Sequence, residues 1–232
     1  QEGDGTIHLN DTLQNPAAIK GIYSSSYIYD QVGNLRYQDG NTTSVGAWAF
    51  TEKPTTGLPN VVTIAEDVID ESDGQTSLRE AIEYVNLNGG TVYFDFAEIF
   101  KNSGTFVITL DATLGSLAIT NNIKIDGVSD YKYQPDSDSL RKGYENVIIT
   151  VDGSKLAGST FTITDANVTI TTLAVAGGSA ENGGAFNITS SSGSNTTTLV
   201  NLSVYGGRAS GNGGNIYVGD GNLTLKGTTV SL

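Results

Sequence analysis

The 232-residue chain carries 12 basic against 25 acidic residues, a formal charge of −13, which repels phosphate backbones and anionic lipid surfaces and sets nucleic acid and membrane surfaces aside as partners. Hydrophobic residues at 38% suffice for a packed core, while 29 glycines, 4 prolines and only 16% charged residues describe a chain of many tight turns and few solvated helix faces. Zero cysteines exclude disulfides, zinc–thiolate sites and thiol nucleophiles.

No apolar run reaches the roughly 20 residues of a membrane span, so no membrane insertion is expected of this chain. Without methionine, and with Gln1 first, the polypeptide is expected to be processed or trimmed, any export signal having been removed.

Residues 1–60 place Tyr23, Tyr27, Tyr29, Tyr37, Trp48 and Phe50 between Gly, Asn and Asp turn signals. They read as a β-rich segment of short strands, with one hairpin arm around residues 22–29 and another around 47–50. Lys53-Pro54-Thr55-Thr56-Gly57-Leu58-Pro59 then breaks any ladder and acts as a linker. Val61 to Ile64 is a short strand, followed by an acidic loop. In Ser77-Leu78-Arg79-Glu80 the serine hydroxyl and the glutamate carboxylate stand three residues apart, the spacing of a reciprocal helix cap. Leu78, Ala81, Ile82 and Val85 follow at helical spacing, and Asn88-Gly89-Gly90 supplies the stop, so one helix is expected at about 77–88.

Beyond it come short runs rich in Val, Ile, Phe and Thr at 91–96, 106–110, 117–119, 123–125, 146–151 and 161–163. All are too short for helices, and Asn, Asp, Gly and Ser turns separate them. The last third repeats itself. Ile170, Leu173, Val175 and Gly177-Gly178 superpose on Leu199, Leu202, Val204 and Gly206-Gly207. Asn182-Gly183-Gly184-Ala185-Phe186 superposes likewise on Asn212-Gly213-Gly214-Asn215-Ile216, and a third copy starts at Leu223, Leu225 and Val230. A period of about 26 to 30 residues suits one coil of a solenoid.

A coil of two or three short strands cannot bury its own apolar face, but stacking at about 4.8 Å on the next coil buries it and pairs its backbone. We therefore expect an all-β fold, a right-handed parallel β-helix over 61–232. The single amphipathic helix would cap its N-terminal end, where an open sheet edge has to be covered. Residues 1–60 would serve as a further cap or as an assembly arm.

Asp73-Gly74-Gln75-Thr76-Ser77-Leu78-Arg79-Glu80-Ala81-Ile82, with Gly89-Gly90-Thr91-Val92-Tyr93-Phe94 after it, resembles the Ser-Leu-Arg-Glu-Ala-Ile signature of large bacterial and archaeal surface β-helix proteins. Ile123-Lys124-Ile125-Asp126-Gly127 and Ile149-Thr150-Val151-Asp152-Gly153 match the strands that follow it there, and the glycine-pair coils come next. The resemblance covers about residues 61–232. It implies an extracellular, adhesin-like protein and says little about activity, since such proteins are mostly adhesin-like or uncharacterised.

Some β-helices cleave polysaccharides, so candidate chemistry needs weighing. Catalysis by paired carboxylates needs close acidic residues, and this chain has no adjacent Asp-Asp pair. The lone His8 lies outside the coils. Asp126 and Asp152, each in an apolar-Asp-Gly step and one coil apart by the repeat, would put two carboxylates on one edge and attract Ca²⁺. The competing reading is that each caps its own turn. Glu66, Asp67, Asp70, Glu71 and Asp73 form a loop that is either a second calcium candidate or a solvated charged face. Arg79 and Glu80 read as structural, the glutamate completing the cap and the arginine pairing with nearby acids. The tyrosine-rich opening is either core and edge packing or a stacking platform for sugar rings. Asn-x-Ser/Thr sequons at Asn10, Asn41, Asn167, Asn187, Asn195, Asn201 and Asn222 are glycosylation candidates on an exported surface.

The expected function is that of a non-catalytic extracellular surface protein. It would be a structural rod for envelope or filament assembly or for adhesion, self-associating end to end by β-augmentation and open to a glycan or other cell-surface ligand. The alternatives are a polysaccharide lyase or glycoside hydrolase on a β-helix, and the N-terminal fragment of a giant adhesin.

Overall fold

The computed structural model describes residues 21–22, 38–39, 42–43, 58–70, 73–127, 143–144 and 146–232. The chain divides into two compact units, Gln1–Pro59 with Asp70–Thr76, and Asn60–Ile69 with Ser77–Leu232. In the first, Gly21–Ile22 (β1), Gln38–Asp39 (β2) and Thr42–Thr43 (β3) make a small antiparallel sheet in the order β1-β3-β2. His8, Asn10, Asn41 and all of the aromatic residues named for this opening segment, Tyr23, Tyr27, Tyr29, Tyr37, Trp48 and Phe50, lie outside the described residues.

The second unit is built of parallel sheets. Val61–Val62 (β4), Gly90–Phe94 (β5), Ile123–Asp126 (β8), Val168–Thr171 (β11), Thr196–Val200 (β15) and Asn222–Lys226 (β19) form a six-stranded sheet in that order. Val107–Thr109 (β6), Thr150–Asp152 (β9), Ala174–Ala176 (β12), Ser203–Tyr205 (β16) and Thr229–Ser231 (β20) form a five-stranded one. Leu117–Ile119 (β7), Phe161–Thr164 (β10), Phe186–Thr189 (β14) and Ile216–Val218 (β18) form a four-stranded one, and Ser179–Ala180 (β13) pairs with Arg208–Ala209 (β17). From β7 onward the chain visits the four-, six- and five-stranded sheets in the same order on every pass.

Register follows from burial. Along strands such as β8, β10, β11 and β14 alternate residues are apolar and buried, and a slip of one position would turn them outward. Ile125, Ile170 and Leu199 therefore stack in one column, Val151, Val175 and Val204 in another, and all six are fully buried. Phe161 lies on Phe186 with ring centroids 5.2 Å apart. The repeat read from the sequence pairs as aligned: Ile170 with Leu199, Val175 with Val204, Phe186 with Ile216, and Leu225 and Val230 on Leu199 and Val204. Each fully buried Ile, Leu, Val or Phe contributes about 1.5–3 kcal/mol.

Turns stack as well. At the bend between the six- and five-stranded sheets, Thr172, Asn201 and Gly227 follow one another in register with φ of 49°, 54° and 60°. Gly178 is held to glycine by contact, since a Cβ there would stand 2.3 Å from the Gly158 carbonyl oxygen.

Two helices occur among the described residues. The first, Leu78–Asn88 (α1), carries the expected capping box: Glu80 N–H donates to Ser77 Oγ at 3.2 Å and Ser77 N–H to Glu80 Oε2 at 2.7 Å. Leu78, Ala81, Ile82 and Val85 form its buried face. Asn86 then presents its side-chain amide to β7, Nδ2 donating to Ala118 O at 2.8 Å and Oδ1 accepting from Thr120 N–H at 3.0 Å. It thus occupies the edge of the four-stranded sheet as a strand would.

The second helix, Phe96–Ser103 (α2), corrects the sequence expectation, which ran a strand through Phe96 and held only one helix. Asp95 caps it by accepting from Glu98 N–H at 3.0 Å, and Gly104 ends it in the left-handed conformation. Phe96 and Ile99 bury one side.

Candidate functional site

Asp67 and Arg79 are the charged pair most deeply held. Arg79 projects from the first turn of α1, and its Nε and Nη2 donate to the two Asp67 oxygens at 2.9 and 2.8 Å. Two further donors reach Gly115 O at 2.8 Å and Ser116 O at 3.2 Å, just before β7, and Asp111 N–H donates to Asp67 Oδ2 at 2.8 Å. With side chains 7% and 1% exposed, the pair is committed mainly to contacts within the chain. It locks the helix to the strand layer, a structural use of both charges.

Asp126 and Asp152 are not brought together. The sequence reading placed them one coil apart, but β8 and β9 are successive strands of a single pass and belong to different sheets. Residues 128–142, between them, had made the two motifs look like neighbouring coils. Asp126 is buried, ion-paired to Lys124 of its own strand, and accepts from Thr171 Oγ1 at 3.1 Å. Asp152 Oδ1 accepts from Ser154 N–H at 2.9 Å, the geometry of an aspartate capping its own turn. Among the described residues no three His, Asp or Glu side chains converge as a metal site. Of the acidic loop, Asp67 is engaged as above, Asp73 Oδ1 accepts from Gln75 N–H at 2.7 Å, and Glu71 lies outside the described residues.

The five described sequon asparagines differ in accessibility. Asn167, Asn201 and Asn222 are exposed. Asn187 has its side-chain oxygen buried without a partner, and Asn195 Oδ1 accepts from Ser190 Oγ at 2.7 Å. The Thr197 that completes the Asn195 sequon is 1% exposed, so that sequon is closed in the folded chain.

The remaining feature is a groove of about 580 Å³ between residues 65–68 and the stretch 103–112, with Lys155 at its border. A parallel bridge from Glu66 to Thr109 fixes its floor. Glu66, Asp111 and Lys155 are exposed along it, and neither Glu66 nor Lys155 has an ion pair or side-chain hydrogen bond among the described residues. Hydrogen bonds from the Thr113 hydroxyl and N–H hold the Asp111 carboxyl below the usual carboxylate range, so it stays charged in mild acid. Val107, 42% exposed, gives the groove an apolar face, and Phe100 in α2, 48% exposed, stacks on Phe106 at 5.5 Å.

No family model, curated protein or solved structure matches this chain. What the groove can do rests on its own chemistry. The sequence reading did not find it, because its members are scattered over 90 positions and only the winding of the chain gathers them. The one usable signal was Glu66 in the acidic loop.

Proposed function

We propose that the second unit is a right-handed parallel β-helix, a non-catalytic scaffold that works outside the cell in envelope architecture, filament assembly or adhesion. The observation that carries this reading is the order of visits to the sheets, unchanged on each pass from β7 to β20, with the apolar columns in register. Parallel crossovers are right-handed in about 98% of cases, which supplies the hand. The non-catalytic part is supported by how the prominent charges are used. Arg79, Asp67, Glu80 and Asp152 hold backbone or one another, and Asp126 holds Lys124 and the Thr171 hydroxyl. The Ser77-to-Ile82 motif and the glycine-pair coils support a place among surface β-helix proteins.

Self-association belongs to the same proposal. In β19 and β20 the columns carry Leu225 and Val230, 46% and 43% exposed, and among the described residues no strand pairs the outer side of either. Such an edge accepts an added strand from a second copy. Electron cryo-microscopy of the purified 232-residue chain tests both parts. We expect associated particles with a rung repeat of about 4.8 Å. A two-sheet sandwich overturns the fold reading, and dispersed monomers at high concentration overturn self-association. Release of sugar from polysaccharides overturns the non-catalytic reading.

A further inference from the structure

We infer that the groove between residues 65–68 and 103–112 is a binding site for a neutral saccharide. Its volume, about 580 Å³, lies in the range of ligand pockets. Two exposed carboxylates, Glu66 and Asp111, and one ammonium, Lys155, line it beside the buried, Arg79-paired Asp67, with Ser103, Thr105 and Thr109 adding hydroxyls. An anionic sugar would meet two like charges, and a simple cation would meet Lys155. Hydroxyl groups suit both signs, since each donates to a carboxylate and accepts from an ammonium, and such charge-assisted bonds are the strong ones. Glu66 and Lys155 have no partner among the described residues to give up on binding. Exposed Val107 supplies the apolar surface on which the C–H face of a sugar ring can rest.

This gives adhesion, one branch of the proposed scaffold function, a partner class and a place. It depends on local groove chemistry and not on the β-helix assignment, so the two can fail separately. The test is calorimetric titration of the whole chain with short soluble oligosaccharides of neutral hexoses and N-acetylhexosamines, with a thermal melt of every variant. We expect saturable, weak binding to at least one of them, reduced about tenfold or more in Glu66→Gln. That side chain is exposed and its bridge to Thr109 is backbone only, so the melt should not move. Asp111→Asn, which keeps an oxygen for Thr113, should weaken binding in the same way. No binding to any of these sugars, or binding unaltered in the double variant, overturns the site. Calcium ions alone binding in a Glu66-dependent manner would overturn the saccharide assignment.

Discussion

Thr197 breaks the pattern of the column it stands in. Above and below it are Val168 and Leu223, yet it is a hydroxyl residue 1% exposed, and its Oγ1 has no hydrogen-bond partner. A buried unpaired hydroxyl costs about 1–3 kcal/mol. Thr197→Val keeps the shape and removes the cost, so urea unfolding should show a gain of about 1 kcal/mol; a loss would mean the hydroxyl has a partner, such as buried water. Asp95 gives a pH effect. Burial raises its carboxyl above the ordinary value of 3.8, against the lowering by the N–H groups it caps. A folded-state value above the unfolded one means that the folded chain binds the proton more tightly. Its contribution is greatest in acid and declines as pH rises through the window just above 3.8. Asp95→Asn preserves the cap and abolishes that decline. Its stability relative to the parent should therefore rise between about pH 3 and 6, as followed by thermal melts. Neither residue stood out in the sequence, where a threonine in a Thr-rich strand and an aspartate before a phenylalanine carry no sign of burial.

Among the elements, α1 was legible and α2 was not. The first had a capping box, four apolar residues at helical spacing and a glycine stop. The second is only 8 residues long, and its Phe96 and Ile99 continue the apolar run of β5, so the β pattern before it masked the turn signals Asp95 and Gly104. What the sequence could not convey for α1 was its attachment. Arg79 was read as pairing with nearby acids, and it does pair with Asp67 of the acidic loop, but its ties to Gly115 O and Ser116 O reach 36 and 37 positions along the chain. Arg79→Ala would leave Asp67 charged and buried, so we expect a loss of about 3–5 kcal/mol in urea unfolding. Replacing both partners by apolar residues should recover part of it, because no unpaired charge then remains. A single variant as stable as the parent would show that the pair is solvated and the helix held by its apolar face alone.

Across the whole second unit, stability should be distributed pass by pass, since a stacked repeat is stabilised mainly by its two neighbours. Leu199 and Leu225 allow this to be measured with the chemistry held constant. They are adjacent members of one column, paired in register, yet Leu199 is 0% exposed and Leu225 46%. Leu199 is packed from both sides, by Ile170 and Leu225, whereas among the described residues Leu225 has a column neighbour on one side only. Truncating Leu199 to alanine opens a cavity in a packed interior and should cost about 2–5 kcal/mol. Truncating Leu225 removes a half-solvated side chain and should cost about 1 kcal/mol or less at low protein concentration. If a second copy adds a strand at β19, that smaller cost should grow with protein concentration, because Leu225 is then buried too. Equal costs at every concentration would show that the column does not transmit packing from pass to pass, and the stacked architecture would lose its physical basis.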